Sequence, residues 1–206
     1  MSRGKLITIE GIDGAGKTTL ARGLADALRA RGIKVELLRE PGGVRAAELI
    51  RGLVTDPDLA VGARTEALLY AAARAQLVDE ELQPLLARGV CVLLDRFVDS
   101  SLAYQGAGRG LGLAAVREIN DFATGGLTPD LTLLLAVDPA VGRRRSDGRA
   151  AAPDRLEREP DEFFWRIADA YRELASADPQ RIRTIDAAQP AEAVLEAAVA
   201  AVADLV

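Results

Sequence analysis

A glycine-rich stretch near the start of the chain has the residue types and spacing of a phosphate-binding loop. Residues 11–18 read G-x-x-x-x-G-K-T, in which the glycines let the backbone turn tightly and point successive N–H groups inward. Lys17 would reach the terminal phosphates of a nucleoside triphosphate, and Thr18 would hold Mg²⁺. The chemistry that this pattern favours is binding of a triphosphate and transfer of a phosphoryl group.

The segments on either side of this loop are those that the motif requires. Residues 6–9 are an unbroken run of β-favouring residues, and apolar residues recur at helical spacing from Leu20 to Leu28. A helix that begins at the loop adds the positive end of its dipole to the phosphate site. A chance glycine-rich turn would lack this context.

Further charged residues follow other apolar runs. Arg39 comes after the second predicted strand, Asp95 and Arg96 after the third, and Asp138 after the fourth. The carboxyl ends of parallel strands form the ligand-binding edge of an α/β sheet. We expect Asp95 to support Mg²⁺ beside Thr18. We expect the positively charged side chain of Arg96 to point into the same cleft.

Strands that are apolar throughout and alternate with helices predict an α/β fold with a parallel sheet covered on both faces. The predicted strands are residues 6–9, 33–38, 90–94, 131–137 and 181–185. The predicted later helices are residues 46–53, 65–88 with Thr65 as N-cap, 113–124, 140–145, 160–175 and 191–206. A loop rich in serine and glycine is expected from Asp95 to Gly112.

Composition restricts the class of protein. The chain has 206 residues, 49% hydrophobic and 28% charged, which predicts a single globular domain over residues 1–206. A net charge of −5 argues against a nucleic-acid partner. Acidic residues interrupt the apolar segment 191–206, as in a packed helix rather than a membrane span.

The counts of reactive residue types add two expectations. The single cysteine, Cys91, lies in an apolar run and is expected in the core. One cysteine and no signal-peptide pattern together favour the cytoplasm. The chain has no histidine, which excludes every mechanism that needs an imidazole.

An arginine-rich segment follows the fourth predicted strand and has two interpretations. It is either a solvated helix face or a lid over residues 143–156, whose arginines would bind phosphate oxygens and exclude water. A break rich in glycine and alanine within the run favours the lid. Its arginines are Arg143, Arg144, Arg145, Arg149 and Arg155.

The chain as a whole resembles the thymidylate kinases, which make dTDP from dTMP and ATP. The resemblance covers nearly the whole chain and is carried by residues 10–19, 39–43, 70–76, 95–109 and 154–157. Many P-loop proteins share the first segment, whereas DRFVDSSLAYQGAGR at 95–109 is specific to this family. The resemblance implies a P-loop NTPase fold with a short arginine-rich lid, ATP as donor, Mg²⁺ as cofactor and a homodimer.

The resemblance also implies a role for each matching residue. The residues expected at the ATP phosphates are Gly11, Ile12, Asp13, Gly14, Ala15, Gly16, Lys17, Thr18 and Thr19. Those expected at dTMP are Asp13, Arg39, Tyr70, Arg74, Arg96, Ser100, Ser101, Tyr104 and Gln105. Those expected in catalysis are Lys17, Asp13, Arg96 and Asp95, with Arg149 or Arg155 from the lid. The metal would be held by Thr18 and Asp95, partly through water.

Several of these roles agree with the chemistry of the side chains. The resemblance implies that Tyr70 stacks on the thymine ring and that Arg74 binds its edge, and residues four apart share one helix face. It also implies that Arg96 clamps the acceptor phosphate and that the Tyr104 ring favours deoxyribose. The other interpretation of Tyr70 is a core residue.

The mechanism that we expect needs no side-chain base. A phosphate monoester is mostly a dianion at neutral pH and is already nucleophilic. We expect Asp13 and Asp95 to organise the metal-bound waters rather than to abstract a proton. Gly14 and Ala15 place no arginine inside the phosphate loop, where one branch of the family has one, so the resemblance implies that the lid supplies that charge.

Two other functions remain open from the sequence. The chain could phosphorylate another nucleoside monophosphate on the same fold, against which the 95–109 run and the pair Tyr70 and Arg74 argue. It could instead be a non-catalytic nucleotide-binding regulator. A GTPase-type switch would carry Asn-Lys-x-Asp after a strand, and this sequence has none.

Overall fold

The computed structural model describes residues 3–148 and 154–206. Five strands form a sheet in the order β2-β3-β1-β4-β5, and every neighbouring pair is parallel. The strands are β1 Leu6–Glu10, β2 Val35–Arg39, β3 Cys91–Asp95, β4 Leu131–Ala136 and β5 Ile182–Asp186. The predicted five-stranded parallel sheet is confirmed.

Helices cover both faces of this sheet. They are α1 Lys17–Ala30, α2 Arg45–Thr55, α3 Ala63–Leu77, α4 Gln83–Ala87, α5 Val98–Ser101, α6 Leu113–Thr124, α7 Pro139–Asp147, α8 Asp161–Ala177 and α9 Ala191–Val202. Two π-helical segments, Val78–Leu82 and Leu102–Gly108, follow α3 and α5. Over residues 3–148 and 154–206, no helix combines the length and apolar character of a membrane span.

The central strand β1 is buried on both faces, as its apolar sequence predicts. Alternate side chains of a strand point to opposite faces, so β1 supplies two apolar clusters. Ile7 and Ile9 pack in the cluster that contains Leu24 of α1. Leu6 packs in the other, with Leu77 of α3. Packing on both faces of the sheet therefore fixes the position of β1 and of the loop that follows its carboxyl end.

The long helix expected over residues 65–88 is interrupted, and its expected N-cap is wrong. Gly62, rather than Thr65, occupies the N-cap position of α3, and no side chain caps the helix. The helix then widens into the π-helical segment Val78–Leu82 just before α4, which carries Pro84 in its first turn. Proline lacks an N–H and crowds the carbonyl four residues earlier, which disfavours an uninterrupted α-helix there.

The loop expected from Asp95 to Gly112 is also wrong over most of its length. Residues 98–108 are helical, and Gly106 and Gly108 are not in left-handed conformations. A Cβ at Gly108 would lie 2.7 Å from the Phe163 ring, so this glycine permits close packing against α8. The serine and glycine content that suggested a loop reflects this packing and the lining of a cleft.

The remaining predictions differ at the ends of elements. The closing helix ends at Val202 rather than at residue 206. Cys91 is buried as predicted, and burial raises its pKa to about 11. Of the lid expected over residues 143–156, residues 143–147 belong to α7, and residues 155 and 156 begin a turn that continues to residue 158. Arg149 lies outside the described residues.

Candidate functional site

The phosphate loop of residues 11–16 connects β1 to α1 at the carboxyl edge of the sheet. Gly11, Gly14 and Gly16 all have positive φ, which explains why glycine occupies these positions. The first turn of α1 leaves unpaired backbone N–H groups that face the loop. Gly14 lies directly against α7, where a Cβ would lie 1.9 Å from the Gly142 carbonyl oxygen.

Lys17 folds back over this loop. Its Nζ donates to the carbonyl oxygens of Gly11 at 3.1 Å and Ile12 at 2.9 Å, and it lies 3.9 Å from Asp13. Burial and the neighbouring Arg96 guanidinium lower its pKa to about 8, against the opposing carboxylates. The ammonium group is thus held inside the loop by neutral acceptors, which a phosphate oxygen can replace.

Thr18 and Asp95 meet where α1 begins and β3 ends. The Thr18 hydroxyl donates to Asp95 Oδ2 at 2.9 Å. Hydroxyl and carboxylate oxygens are ligands that Mg²⁺ prefers, so this pair fits a magnesium site. Over residues 3–148 and 154–206, no group of three or more Asp, Glu, Cys or His side chains could hold a metal by itself. Any Mg²⁺ here would therefore share its coordination with substrate phosphates and water.

Arg96 lies on the wall of the cleft in a left-handed backbone conformation, with φ of 74°. Its guanidinium donates to Asp13 Oδ1 at 2.5 Å, to Ser100 Oγ at 3.1 Å and to the Tyr104 hydroxyl at 3.2 Å. Tyr104 in turn donates to Asp13 Oδ2 at 2.9 Å. These contacts hold the guanidinium at one side of the cleft before any ligand binds.

The same contacts keep Asp13 ionised. Burial alone would raise the pKa of Asp13, but Arg96 and Lys17 outweigh it and lower the pKa to about 2. At neutral pH this carboxylate carries a full negative charge that it shares between two cations. It is therefore a very weak proton acceptor.

A cleft of about 480 Å³ extends from the phosphate loop to α3. It brings together all of the residues that the sequence predicts at the acceptor: Asp13, Arg39, Tyr70, Arg74, Arg96, Ser100, Ser101, Tyr104 and Gln105. The loop contributes Gly14, Gly16, Lys17, Thr18 and Thr19 to its wall, whereas Gly11, Ile12 and Ala15 are buried behind it. Asp138 does not line this cleft; it caps α7 by accepting from the Ala140 N–H at 2.8 Å.

Arg74 is almost completely buried at the α3 end of the cleft, at 2% exposure. Its guanidinium pairs with Glu40 at 2.6 Å and donates to Ser101 Oγ, to Asn120 Oδ1 and to the Phe97 carbonyl oxygen. Burial raises the pKa of Glu40, against the effect of Arg74. Since protein groups already engage the Arg74 donors, a base edge would have to share one of them.

Gln105 has a fixed orientation because its amide nitrogen donates to Glu66 Oε1 at 2.9 Å. A carboxylate can accept only from the NH₂ group, so the amide oxygen of Gln105 is the atom left for a ligand. Glu66 is fully buried and also pairs with Arg109 at 3.0 Å and with Arg155 at 2.6 Å. The pocket wall around Gln105 is therefore held by one carboxylate and two arginines.

Arg155 does not lie at the phosphate loop in this arrangement. Its guanidinium donates to Glu66 and to the Val54 carbonyl oxygen at 3.1 Å. The expectation that Arg155 contacts the transferred phosphoryl group thus disagrees with its position here, because a buried carboxylate on α3 holds it.

Sequence reasoning assigned no role to the side chains of Arg51 and Glu10, and it placed Arg145 only within the arginine-rich lid. Arg51 lines the cleft and donates to the Pro41 carbonyl oxygen at 3.1 Å. Arg145 also lines it and donates to the Ala187 carbonyl oxygen at 2.9 Å. Glu10 lies immediately behind Arg96, with no exposure. Arg51 occupies an ordinary charged position on α2, where no pattern distinguishes it from a solvated residue.

Comparison with known proteins places this site in a family. The family model described as thymidylate kinase matches residues 9–198, which include every site residue named above. The chain belongs to the thymidylate kinase family. Members of this family are nucleoside monophosphate kinases, which transfer a phosphoryl group to a nucleoside monophosphate.

Individual thymidylate kinases are similar over almost their full length. The chain is 50% identical to the thymidylate kinase of Deinococcus radiodurans, over 92% of each chain. It is 46% identical to that of Alkalilimnicola ehrlichii, over 100% of this chain and 95% of the relative. The crystal structure of thymidylate kinase from Ehrlichia chaffeensis matches with a TM-score of 0.80 and 28% identity, over 98% of this chain and 99% of the other.

The contact between the phosphate loop and α7 generates a prediction for this family member. In Gly142→Ala, the new Cβ would lie 2.7 Å from the Asp13 carbonyl oxygen, so the loop must shift. Since small displacements in an active site can cost about 100-fold in rate, we expect kcat/KM to fall by about 10- to 100-fold. Steady-state kinetics with the nucleoside triphosphate varied would measure this change.

Gly52→Ala is the matched control, because Gly52 is also helical and has nothing within 4 Å of an added Cβ. It should keep full activity and gain about 0.5–1 kcal/mol of stability. Equal activity of the two variants would show that α7 does not determine the position of the loop.

Proposed function

We propose that this chain transfers the terminal phosphoryl group of ATP to dTMP, in the presence of Mg²⁺, and forms dTDP. The observation that supports this most strongly is the single cleft that joins the phosphate loop to the pocket of Tyr70, Arg74 and Gln105. Arg96 lies on the cleft wall with both groups of residues. Family membership favours the thymine nucleotide as the acceptor.

Hydrogen bonding at the α3 end of the cleft supports a thymine base. Tyr70 is half-buried on the wall and offers a ring face for stacking. The Gln105 amide oxygen, freed by the bond from its nitrogen to Glu66, can accept from the N–H of a thymine ring. Cytosine has an acceptor at that ring position, so the same oxygen would repel it. This geometry favours dTMP and dUMP over dCMP.

The residues around Arg96 support transfer without a protein base. The acceptor phosphate of dTMP is itself the nucleophile. Lys17 and Arg96 would neutralise charge on the transferred and accepting phosphates, and their positions are already held by the loop and by Asp13. Mg²⁺, held by Thr18 and Asp95, would neutralise further charge on the donor phosphates.

An ADP-release assay with separate acceptors tests this function. With ATP and Mg²⁺, we expect strong turnover on dTMP, weaker turnover on dUMP and little on dCMP, dGMP, UMP or AMP. Turnover that prefers dCMP would overturn the role of Gln105, and turnover on UMP equal to dUMP would overturn the deoxyribose role of Tyr104. ATP binding without turnover on any acceptor would favour the non-catalytic regulator.

We propose that Arg149 is the lid arginine that contacts the transferred phosphoryl group, on the basis of the family resemblance and of the position of Arg155. We expect Arg149→Ala to lower kcat by about 100-fold or more, as for other single transition-state contacts. Arg155 holds Glu66, which orients Gln105, so Arg155→Ala should mainly raise the KM for dTMP. Steady-state kinetics of both variants would separate the two roles. A lower kcat in Arg155→Ala and a higher KM for dTMP in Arg149→Ala would show that the two roles are assigned to the wrong arginines.

We also propose a homodimer that forms through α2, α3 and α6. These helices expose large apolar side chains: Leu49 at 68%, Leu53 at 46%, Leu68 at 56% and Phe122 at 91%. In the chain, α3 packs against both α2 and α6, so their outer faces are neighbours. Exposed apolar residues grouped in this way mark interaction surfaces. A location in the cytoplasm, without a membrane or nucleic-acid partner, remains a prediction from composition.

Sedimentation velocity would test the dimer. The wild-type chain should sediment as a dimer, and Phe122→Lys should sediment as a monomer because it places a charge within the apolar face. Trp165→Lys is the matched control, since Trp165 is 44% exposed but lies on α8. Loss of the dimer in the control alone, or a monomeric wild type, would overturn this interface.

A further inference from the structure

Glu10 is a buried carboxylate whose position suggests a role in the reaction. It is the last residue of β1 and is completely unexposed, directly before the phosphate loop. Its Oε1 accepts from the backbone N–H of Phe97 at 2.7 Å and of Ser100 at 3.3 Å. Its Oε2 accepts from the Ser100 hydroxyl at 2.5 Å and from the Tyr171 hydroxyl at 2.8 Å. Most of these donors belong to the segment that carries Arg96.

Ser100 connects this carboxylate to the Arg96 side chain. While its hydroxyl donates to Glu10, its oxygen accepts from Arg96 Nη1 at 3.1 Å. A continuous chain of hydrogen bonds therefore runs from Glu10 through Ser100 to the guanidinium in the cleft. Cooperative polarisation along such a chain strengthens the donor at its far end.

The backbone around Arg96 is restrained at the same place. A left-handed conformation is costly for a residue with a Cβ and persists only where the surroundings hold it. The Arg96 N–H donates to the Ile9 carbonyl oxygen at 3.0 Å, and the next N–H, of Phe97, donates to Glu10. Glu10 thus restrains both the backbone and the side chain of Arg96.

A role in stability alone does not explain a carboxylate at this position. Burial and the nearby Asp99 raise the pKa of Glu10 to about 7, so its charge is costly in the fold. Buried ionic groups can often be replaced by apolar residues without loss of stability. A negative charge that faces Arg96 from behind, however, holds the guanidinium in place and leaves its outer edge to the ligand.

We propose that Glu10 is a positioning residue for the acceptor phosphate, which fixes Arg96 through Ser100 and through the backbone of Phe97. This inference rests on the proposed function and extends it to a residue outside the cleft wall. It requires that loss of the Glu10 charge weaken the use of dTMP and leave the use of ATP almost unchanged.

Steady-state kinetics of Glu10→Gln test this role. Because hydrogen bonds to charged groups are stronger than those between neutral groups, we expect the KM for dTMP to rise by about tenfold or more. The KM for ATP should stay within about twofold, a difference that a general loss of folded protein would not produce. A KM for dTMP equal to that of the wild type, or equal increases for both substrates, would overturn the role.

Asp99→Asn is the matched control. Asp99 is another buried acid on the same segment, but it pairs with Arg181 at 2.6 Å rather than with Arg96. It should lower the melting temperature without raising the KM for dTMP. An increase in KM equal to that of Glu10→Gln would show that any buried charge on this segment has the same effect.

Tyr171→Phe decides the question if Glu10→Gln does not fold. Tyr171 lies on α8, outside the cleft wall, and contacts both Glu10 Oε2 and Ser100 Oγ. Its loss should raise the KM for dTMP by about two- to threefold, and an unchanged KM would overturn the proposal. Wild-type turnover on dTMP is measured in the same series, so a failure of the proposed function is distinguished from a failure of this role.

Discussion

The parallel pairing of β1 with β3 is the constraint on which the site depends. Ile9 is paired with Asp95, so the phosphate loop and the segment of Arg96 leave the sheet side by side. The Thr18 hydroxyl reaches Asp95, and the Arg96 N–H reaches the Ile9 carbonyl oxygen, only in this register. A shift by one residue would turn the side chains of a strand to the opposite face of the sheet. The burial of β1 on both faces makes such a shift very costly.

Opposite charges at this edge hold one another before any nucleotide arrives. Asp13 lies between Lys17 and Arg96, and the Glu10 carboxylate supports Arg96 from behind. Removing these charges from water is expensive, and the mutual contacts recover part of that cost. The consequence is a set of cations already in position when phosphate binds. Preorganised charge of this kind is the main way in which enzymes stabilise phosphoryl transfer.

Buried carboxylates also fix polar groups at the α3 end of the cleft, where we propose that the acceptor base binds. Glu66 fixes the amide of Gln105, and Glu40 fixes the guanidinium of Arg74, so both polar groups have only one orientation. A pocket that hydrogen-bonds its ligand rejects a base with the opposite donor pattern far better than a pocket that relies on shape. In the proposed function, these buried carboxylates would therefore restrict which base edge can be satisfied.

Local information was enough for the phosphate loop, the five strands and most of the helices. Glycine spacing, apolar runs and helical periodicity depend on neighbours in the sequence, and residues 11–18 carry a pattern that few structures share. The expected loop after β3 was wrong because distant contacts decide the local structure there. Residues 98–108 contain glycines that suggest a loop, but Gly108 is needed for close packing against Phe163, which is far along the chain.

The sequence by itself thus determined the fold class, the phosphate loop and the nine residues expected at the acceptor, all of which line the cleft. The tertiary structure decided the order β2-β3-β1-β4-β5 and the partner of each charge. Asp13 and Arg96 are 83 residues apart, and Glu66 and Arg155 are 89 apart. Many carboxylates and arginines are equivalent in the sequence, and only the packed sheet and helices determine which of them are close enough to pair.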